Sequence, residues 1–140
     1  MDPIEVLNGT SPPDLTWRVL AFGSHSEFSS MIEISRGGRK VAGSGMAGPK
    51  LYPHSVIHEF RGWTDDLPSV VLVRVAPQID RVVATTDAGT ELELPLSPIS
   101  FGLRFGAALL PDSEGPASIR AEHDGIVVEV KQQRMHRRRR

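Results

Sequence analysis

Cysteine is absent from the 140-residue sequence, and this absence narrows the possible functions. It excludes a disulfide framework, thiolate zinc sites and a cysteine nucleophile. It also fits a reducing compartment, so we expect a cytoplasmic protein. The first residues are acidic and are followed by no apolar segment, which argues against a secretory signal. Every apolar run ends within a few residues, too early to span a membrane.

Helical periodicity is also missing, and short alternating segments take its place. Residues 70–75 form an almost uninterrupted apolar run, and residues 91–96 return after a turn at 87–89. In the returning segment Leu92, Leu94 and Leu96 share one side, while the two glutamates point to the other. A period of two is typical of a half-buried strand. We therefore expect a buried central strand, a hairpin beside it, and core positions at all three leucines.

Similar short segments, separated by glycine- and proline-rich turns, predict a further set of strands. They cover residues 16–22, 28–35, 55–61, 81–86, 101–109, 118–122 and 126–131. The glycine pair at 37 and 38 predicts a tight hairpin that places Ile34 opposite Val41 and Ile32 opposite Gly43. Regular turn spacing with short strands predicts an all-β, single-domain antiparallel β-sandwich, with a small β-barrel as the alternative.

The proline-rich start of the chain and its basic end are expected to lie outside this sandwich. Residues 1–14 have no sustained period and are predicted to be an N-terminal arm. Residues 15–131 form the predicted sandwich, within which residues 43–53 and 62–68 are read as loops. Residues 132–140 are a basic C-terminal tail. Residues 1–133 carry eleven basic and seventeen acidic side chains, so an acidic body precedes the tail.

Two motifs match cofactor or metal patterns but lack their structural context. The segment 43–48 reads G-x-G-x-x-G, yet Pro49 follows at once and no helix is predicted there to hold a pyrophosphate. His54 and His58 have the i, i+4 spacing of a metal pair on a helix. On the expected strand they would share a face about 13 Å apart, too far for one ion. We expect no cofactor and no metal.

Residue types that could form a catalytic site occur together only at predicted turns. Ser24-His25-Ser26 and His123-Asp124 lie where serine and aspartate form local hydrogen bonds, and no nucleophile elbow surrounds a serine. Asp65-Asp66 lacks the spacing of a calcium loop. No catalytic residue is therefore assigned, and an enzyme is the less favoured interpretation.

What remains are candidate contacts with a partner. Trp63 is an expected loop tryptophan that could anchor a partner or cover the end of the sandwich. The tail contributes a cluster of basic side chains that could contact phosphate: Arg134, Arg137, Arg138, Arg139 and Arg140. We predict a non-enzymatic accessory or assembly module that binds a protein partner or forms a homo-oligomer. The alternatives are a nucleic-acid-associated protein tethered weakly by the tail, and an enzyme or small-ligand binder with a loop-built site.

Overall fold

The computed structural model describes residues 2–24, 26–64 and 66–132, with the backbone alone for residues 63 and 64. Within these ranges the chain forms strands and turns and no helix. The eleven strands are β1 (Ile4–Ser11), β2 (Leu15–Gly23), β3 (Phe28–Arg36), β4 (Arg39–Met46), β5 (Ile57–Thr64), β6 (Leu67–Val75), β7 (Arg81–Thr86), β8 (Glu91–Glu93), β9 (Arg104–Leu109), β10 (Pro116–His123) and β11 (Ile126–Gln132).

These strands form three antiparallel sheets. The first sheet has the order β1-β2-β3-β4, so its neighbours in space are neighbours in sequence. The middle sheet has the order β5-β6-β9, and the last sheet has the order β11-β10-β7-β8. The predicted antiparallel β-sandwich is confirmed, and the sheets do not close into a barrel.

The middle sheet is buried on both faces, which explains the apolar run at residues 70–75. Val70 and Leu72 on β6 belong to the hydrophobic cluster that includes the inner face of the first sheet. Val71, Val73 and Val75 alternate with them and join a second cluster with β7 and β10 of the last sheet. Because successive side chains of a strand point to opposite faces, a strand between two sheets needs apolar residues at nearly every position.

The N-terminal arm is the first correction to the sequence-based expectations. Residues 4–11 form β1, which pairs with β2 from Ile4 opposite Ala21 to Ser11 opposite Leu15. A bulge lies between Glu5 and Leu7, so that both Val6 and Leu7 pack against the first cluster. A bulge places an extra residue in one strand and breaks the period of two. That break explains why alternation was not visible in the sequence.

A second bulge makes the predicted register of the β3–β4 hairpin wrong by one residue. The turn itself is confirmed, since Gly37 and Gly38 both have positive φ. Beyond it, Ile34 pairs with Ala42 and Ile32 pairs with Ser44. The register shifts between Ile34 and Ser35. A hairpin's register follows its turn only until the first bulge.

The predicted loops at 43–53 and 62–68 are shorter than expected. β4 continues through residue 46, although its last four positions were taken as part of a glycine-rich loop. β5 starts two residues later than predicted and runs to Thr64, so Trp63 lies in a strand and not in a loop. Gly45 is required where it stands, because a Cβ there would lie 2.2 Å from the Ser30 carbonyl oxygen. Close approach of neighbouring backbones is one reason for glycine inside a strand.

The returning strand is also shorter than predicted, and only part of its expected core is fully buried. Leu94 is buried, whereas Leu92 and Leu96 are half-buried at the edge of the second cluster. Leu94 donates its N–H to Val82 O, but Pro95 follows and has no N–H with which to continue the ladder. Strand β8 therefore ends at Glu93.

Truncating Leu94 should destabilise the protein far more than truncating its neighbour. Leu94→Ala removes a side chain that is 2% exposed, so we expect a loss of about 2–5 kcal/mol in the free energy of unfolding. Glu93→Ala removes an exposed ion pair with Arg81 and should change stability by less than about 1 kcal/mol. Urea titration of both variants measures these values; equal small losses would contradict the assigned burial.

Candidate interaction surface

Arg74 is the most unusual side chain in the interior. It lies on β6, on the face directed at the first sheet, and is completely buried. Its Nε donates to Lys50 O at 2.9 Å, and Nη1 donates to Ser30 Oγ at 2.7 Å. Its Nη2 donates to Pro49 O at 2.8 Å. One guanidinium therefore joins the middle sheet to β3 and to the segment that follows β4.

The partners of Arg74 are neutral, so its charge is not balanced by a contacting carboxylate. The face of the Phe28 ring lies 5.1 Å from the guanidinium carbon, a favourable cation–π distance. Burial lowers the pKa of Arg74 to about 10, which still leaves it protonated at neutral pH. A buried charge is tolerated when its hydrogen bonds are satisfied. Because its donors serve the chain's own carbonyls, the cluster stabilises the fold and offers no ligand site.

His58 lies against this cluster and is held in its neutral form. Its Nδ1 lies 3.1 Å from Arg74 Nη2, which can only donate, and 3.3 Å from Pro49 O, which can only accept. We assign Nδ1 as the acceptor because the contact with the guanidinium is the shorter one. Burial, followed by the charge of Arg74, lowers the pKa of His58. His54 is exposed in a turn with a φ of 65°, outside the strand on which we expected both histidines. A neutral imidazole occupied by a guanidinium is a poor metal ligand and a poor general base.

His123 lies in a second cluster of titratable groups at the β10–β11 turn. Its Nδ1 is 2.7 Å from Gln78 O, and its Nε2 is 3.4 Å from an Asp124 carboxylate oxygen. Asp80 completes the group, and its carboxylate accepts the backbone N–H of Asp124. All three side chains are exposed. These contacts connect the turn to the loop before β7, more than 40 residues earlier in the chain, whereas the sequence predicted hydrogen bonds within the turn itself.

Several other candidate residues from the sequence have no described side-chain geometry. Trp63 lies on β5, but its side chain is outside the described part of the structure, and so are His25 and Asp65. The tail arginines, Arg134, Arg137, Arg138, Arg139 and Arg140, lie beyond residue 132, where the description ends. Their proposed contacts with partners remain predictions.

A small apolar slot opens between β4 and the β5–β6 hairpin. Its volume is about 190 Å³, and Ile34, Ala42, Phe60 and Val70 form most of its walls. Gly62 keeps it open, since a Cβ there would lie 2.8 Å from the Phe60 ring. Among its described lining residues Ser44 has the one side-chain hydroxyl, so these residues could take a small apolar group but offer little to orient it.

The strongest candidate for an interaction surface is β11. Among the described residues, four of the eight exposed large hydrophobic side chains lie on this one strand. Ile126 is 68% exposed, and Val127, Val128 and Val130 are each 48% exposed. Among the described strands β11 is also an edge strand, paired with β10 on one side only. Clustered exposed aliphatic residues on a sheet edge mark a site of interaction or aggregation.

The inward side of β11 is anchored to the middle sheet. The Glu129 carboxylate accepts the Val56 N–H at 2.7 Å and the Ser55 hydroxyl at 2.9 Å. Arg61 Nη2 donates to Lys131 O at 2.9 Å. Anchoring fixes the strand in place, so its exposed valines are presented on a rigid element.

The sequence predicted this strand but not its exposure. Residues 126–128 are apolar in succession, a pattern shared with residues 70–75, where it results from burial on both faces. β11 has the same apolar pattern but lies at the edge of its sheet. Which strand lies at an edge depends on the strand order, and the strand order cannot be derived from one sequence. The exposed group of residues 126, 127, 128 and 130 is therefore a finding of the structure.

Comparisons of the chain with protein-family models, with curated proteins and with solved structures gave no match. In the part of the chain that the structure describes, no helix is long and apolar enough to cross a membrane.

Stability should fall on mild acidification because of His58. The folded state disfavours the protonated imidazole, so the unfolded chain binds the proton at a higher pH. The stabilisation is complete above the ordinary histidine pKa of about 6.5 and decreases as the pH falls below it. Burial lowers the pKa of Arg74 only to about 10, so Arg74 stays cationic throughout this range, and the nearby Lys131 adds to the repulsion.

Urea titrations at about pH 8 and about pH 5.5 bracket the pKa of free histidine and test this expectation. The wild type and His54→Gln, which alters an exposed histidine, should both lose stability at the lower pH. His58→Gln keeps an acceptor for Arg74 but cannot be protonated, so its loss should be smaller. An equal loss in all three proteins would contradict the role of His58.

Proposed function

We propose that this protein is a non-enzymatic binding module that engages a protein partner through β11. The observation that carries this proposal is the exposure of Ile126, Val127, Val128 and Val130 on one anchored edge strand. Covering these side chains would remove apolar surface from water, at roughly 25 cal/mol for each Å² buried. An edge strand also offers backbone groups to an added strand, a common mode of peptide and protein recognition.

The other edges of the outer sheets support this choice by contrast. β8 has three residues and is followed by Pro95, which stops further pairing. β1 carries Glu5 and a bulge, and β4 begins with Arg39 and Lys40. Short strands, charges and bulges are the means by which sheets avoid edge-to-edge association. β11 has a bulge at Val128 and one lysine, but most of its exposed positions are aliphatic.

The binding role is also supported by the contacts of two of the three described histidines, His58 and His123. His58 is engaged by the structural guanidinium of Arg74, and His123 by Gln78 O and two aspartates. Their contacts have a sufficient explanation in folding. The exposed valines of β11 make no comparable contribution to the core, so binding accounts for them better than stability does.

Affinity capture from a native cell extract tests the proposal with matched variants. Val127→Thr/Val130→Thr retains the shape and β-branching of valine while making the edge polar. Val41→Thr makes the same change on β4, at a valine that is 42% exposed. We expect the wild type and Val41→Thr to retain the same proteins, and the double variant to lose at least one of them, whatever the salt concentration.

An untagged copy of the chain itself, added to the extract, is counted among the proteins that can be retained. Circular dichroism and urea titration should show that all three proteins are folded. Retention of an identical set by all three would contradict a binding role for β11.

A further inference from the structure

The structure also points to the kind of partner that fits β11. We propose that β11 pairs antiparallel with β11 of a second copy of this chain, around a two-fold axis at Val130. This inference rests on the proposed function and specifies its partner. In a two-fold interface the same residues appear on both sides, so the strand must be complementary to itself.

The charges of β11 meet this requirement in one register. Glu129 and Lys131 flank Val130 and are paired with Ala121 and Ile119 of β10, so both are on the inward face. Their charged groups lie 3.1 Å apart within one copy. With the axis at Val130, Glu129 of each copy lies opposite Lys131 of the other. Opposite charges across neighbouring strands are favourable.

Neighbouring registers are less favourable for the same reason. An axis at Glu129 would place two carboxylates directly opposite, and an axis at Lys131 would place two ammonium groups opposite. Like charges in directly opposite positions destabilise a strand pair. The two charged residues thus favour an axis at Val130 over an axis at either of its neighbours.

The outer face supplies the apolar part of the contact. Val130 lies beside Arg120 of β10, and Val127 lies beside Glu122, so the bulge at Val128 brings both valines to the same outer face. In the proposed pair Val130 meets its own counterpart, so the apolar contact is centred on the axis. The neighbouring charges are already paired, since Glu122 contacts Arg120 and Arg81.

Two structural details set the strength of this association. Lys131 O accepts a hydrogen bond from Arg61, and a carbonyl oxygen has a second lone pair with which to accept another. The strand has seven residues, so the contact is smaller than a standard interface of about 1,600 Å². We therefore expect a reversible dimer whose population rises with protein concentration.

The absence of cysteine allows a direct test of the register. In Val130→Cys the new thiols of two copies face each other, at a Cα separation of about 4.5–5.5 Å that suits a disulfide. Val127→Cys has the same exposure but lies away from the axis, and Val41→Cys on β4 reports random collisions. Under mild oxidation we expect the disulfide-linked dimer to form several-fold faster in Val130→Cys than in either control. Equal rates in all three, or a faster rate in Val127→Cys, would overturn the inference.

Sedimentation of charge variants provides a second test that involves no covalent bond. Val130→Glu and Val130→Lys alter an exposed side chain and should each be folded and monomeric, because like charges would meet on the axis. An equimolar mixture should form a dimer, because opposite charges then meet. A mixture that remains monomeric while the wild type dimerises would contradict the register.

The two proposals can fail separately. If the wild type stays monomeric over a wide concentration range, yet a different protein is captured in a β11-dependent manner, the two-fold pairing is wrong and the binding role stands. If neither self-association nor β11-dependent capture occurs, both proposals are wrong.

Discussion

The hydrogen bonds of Arg74 are the interaction on which the rest of this fold depends. β6 is the central strand of a sheet covered on both faces, so its side chains from Val70 to Val75 are buried. Placing a guanidinium there requires neutral acceptors from several parts of the chain, and β3, β5 and the segment around Pro49 provide them. Removing such a donor would leave buried carbonyl groups without partners, at a cost of about 1–3 kcal/mol for each. Arg74 thereby fixes the position of the first sheet and of the irregular segment on the middle sheet.

This interior contrasts with the one strand whose apolar residues are not covered. The apolar run of β6 is covered on both faces of the middle sheet. On one of these faces, β7 and β10 bury their inner sides against it. β11 has a comparable run at the end of the last sheet, where none of the described strands lies on its other side. Contacts of Glu129 with Ser55 and Val56 hold the strand in place without covering its valines. The same residue types therefore stabilise the fold in one strand and suit association in the other.

Much of the fold could be predicted from alternation and turns, and the errors have identifiable causes. The hairpin at Gly37-Gly38 and the buried run at 70–75 followed from local chemistry. β1 and the β3–β4 register did not, because bulges near Glu5 and Ile34 change the period. The candidate surface was harder to predict from the sequence. The exposure of Val127 and Val130 depends on strand order, which is a long-range property. Arg74 within an apolar run was a visible local signal of a buried polar cluster, but its acceptors come from residues distant in sequence.

The central claim is that the buried guanidinium joins the layers, and the stability of Arg74→Met tests it most directly. Methionine fills similar space but donates no hydrogen bond, so we expect the free energy of unfolding to fall by roughly 2–4 kcal/mol. Arg36→Met is the matched control, because Arg36 makes an exposed ion pair with Asp14 and should change stability by less than about 1 kcal/mol. Urea titration of the two variants gives both values. A loss for Arg74→Met no larger than that for Arg36→Met would contradict the account.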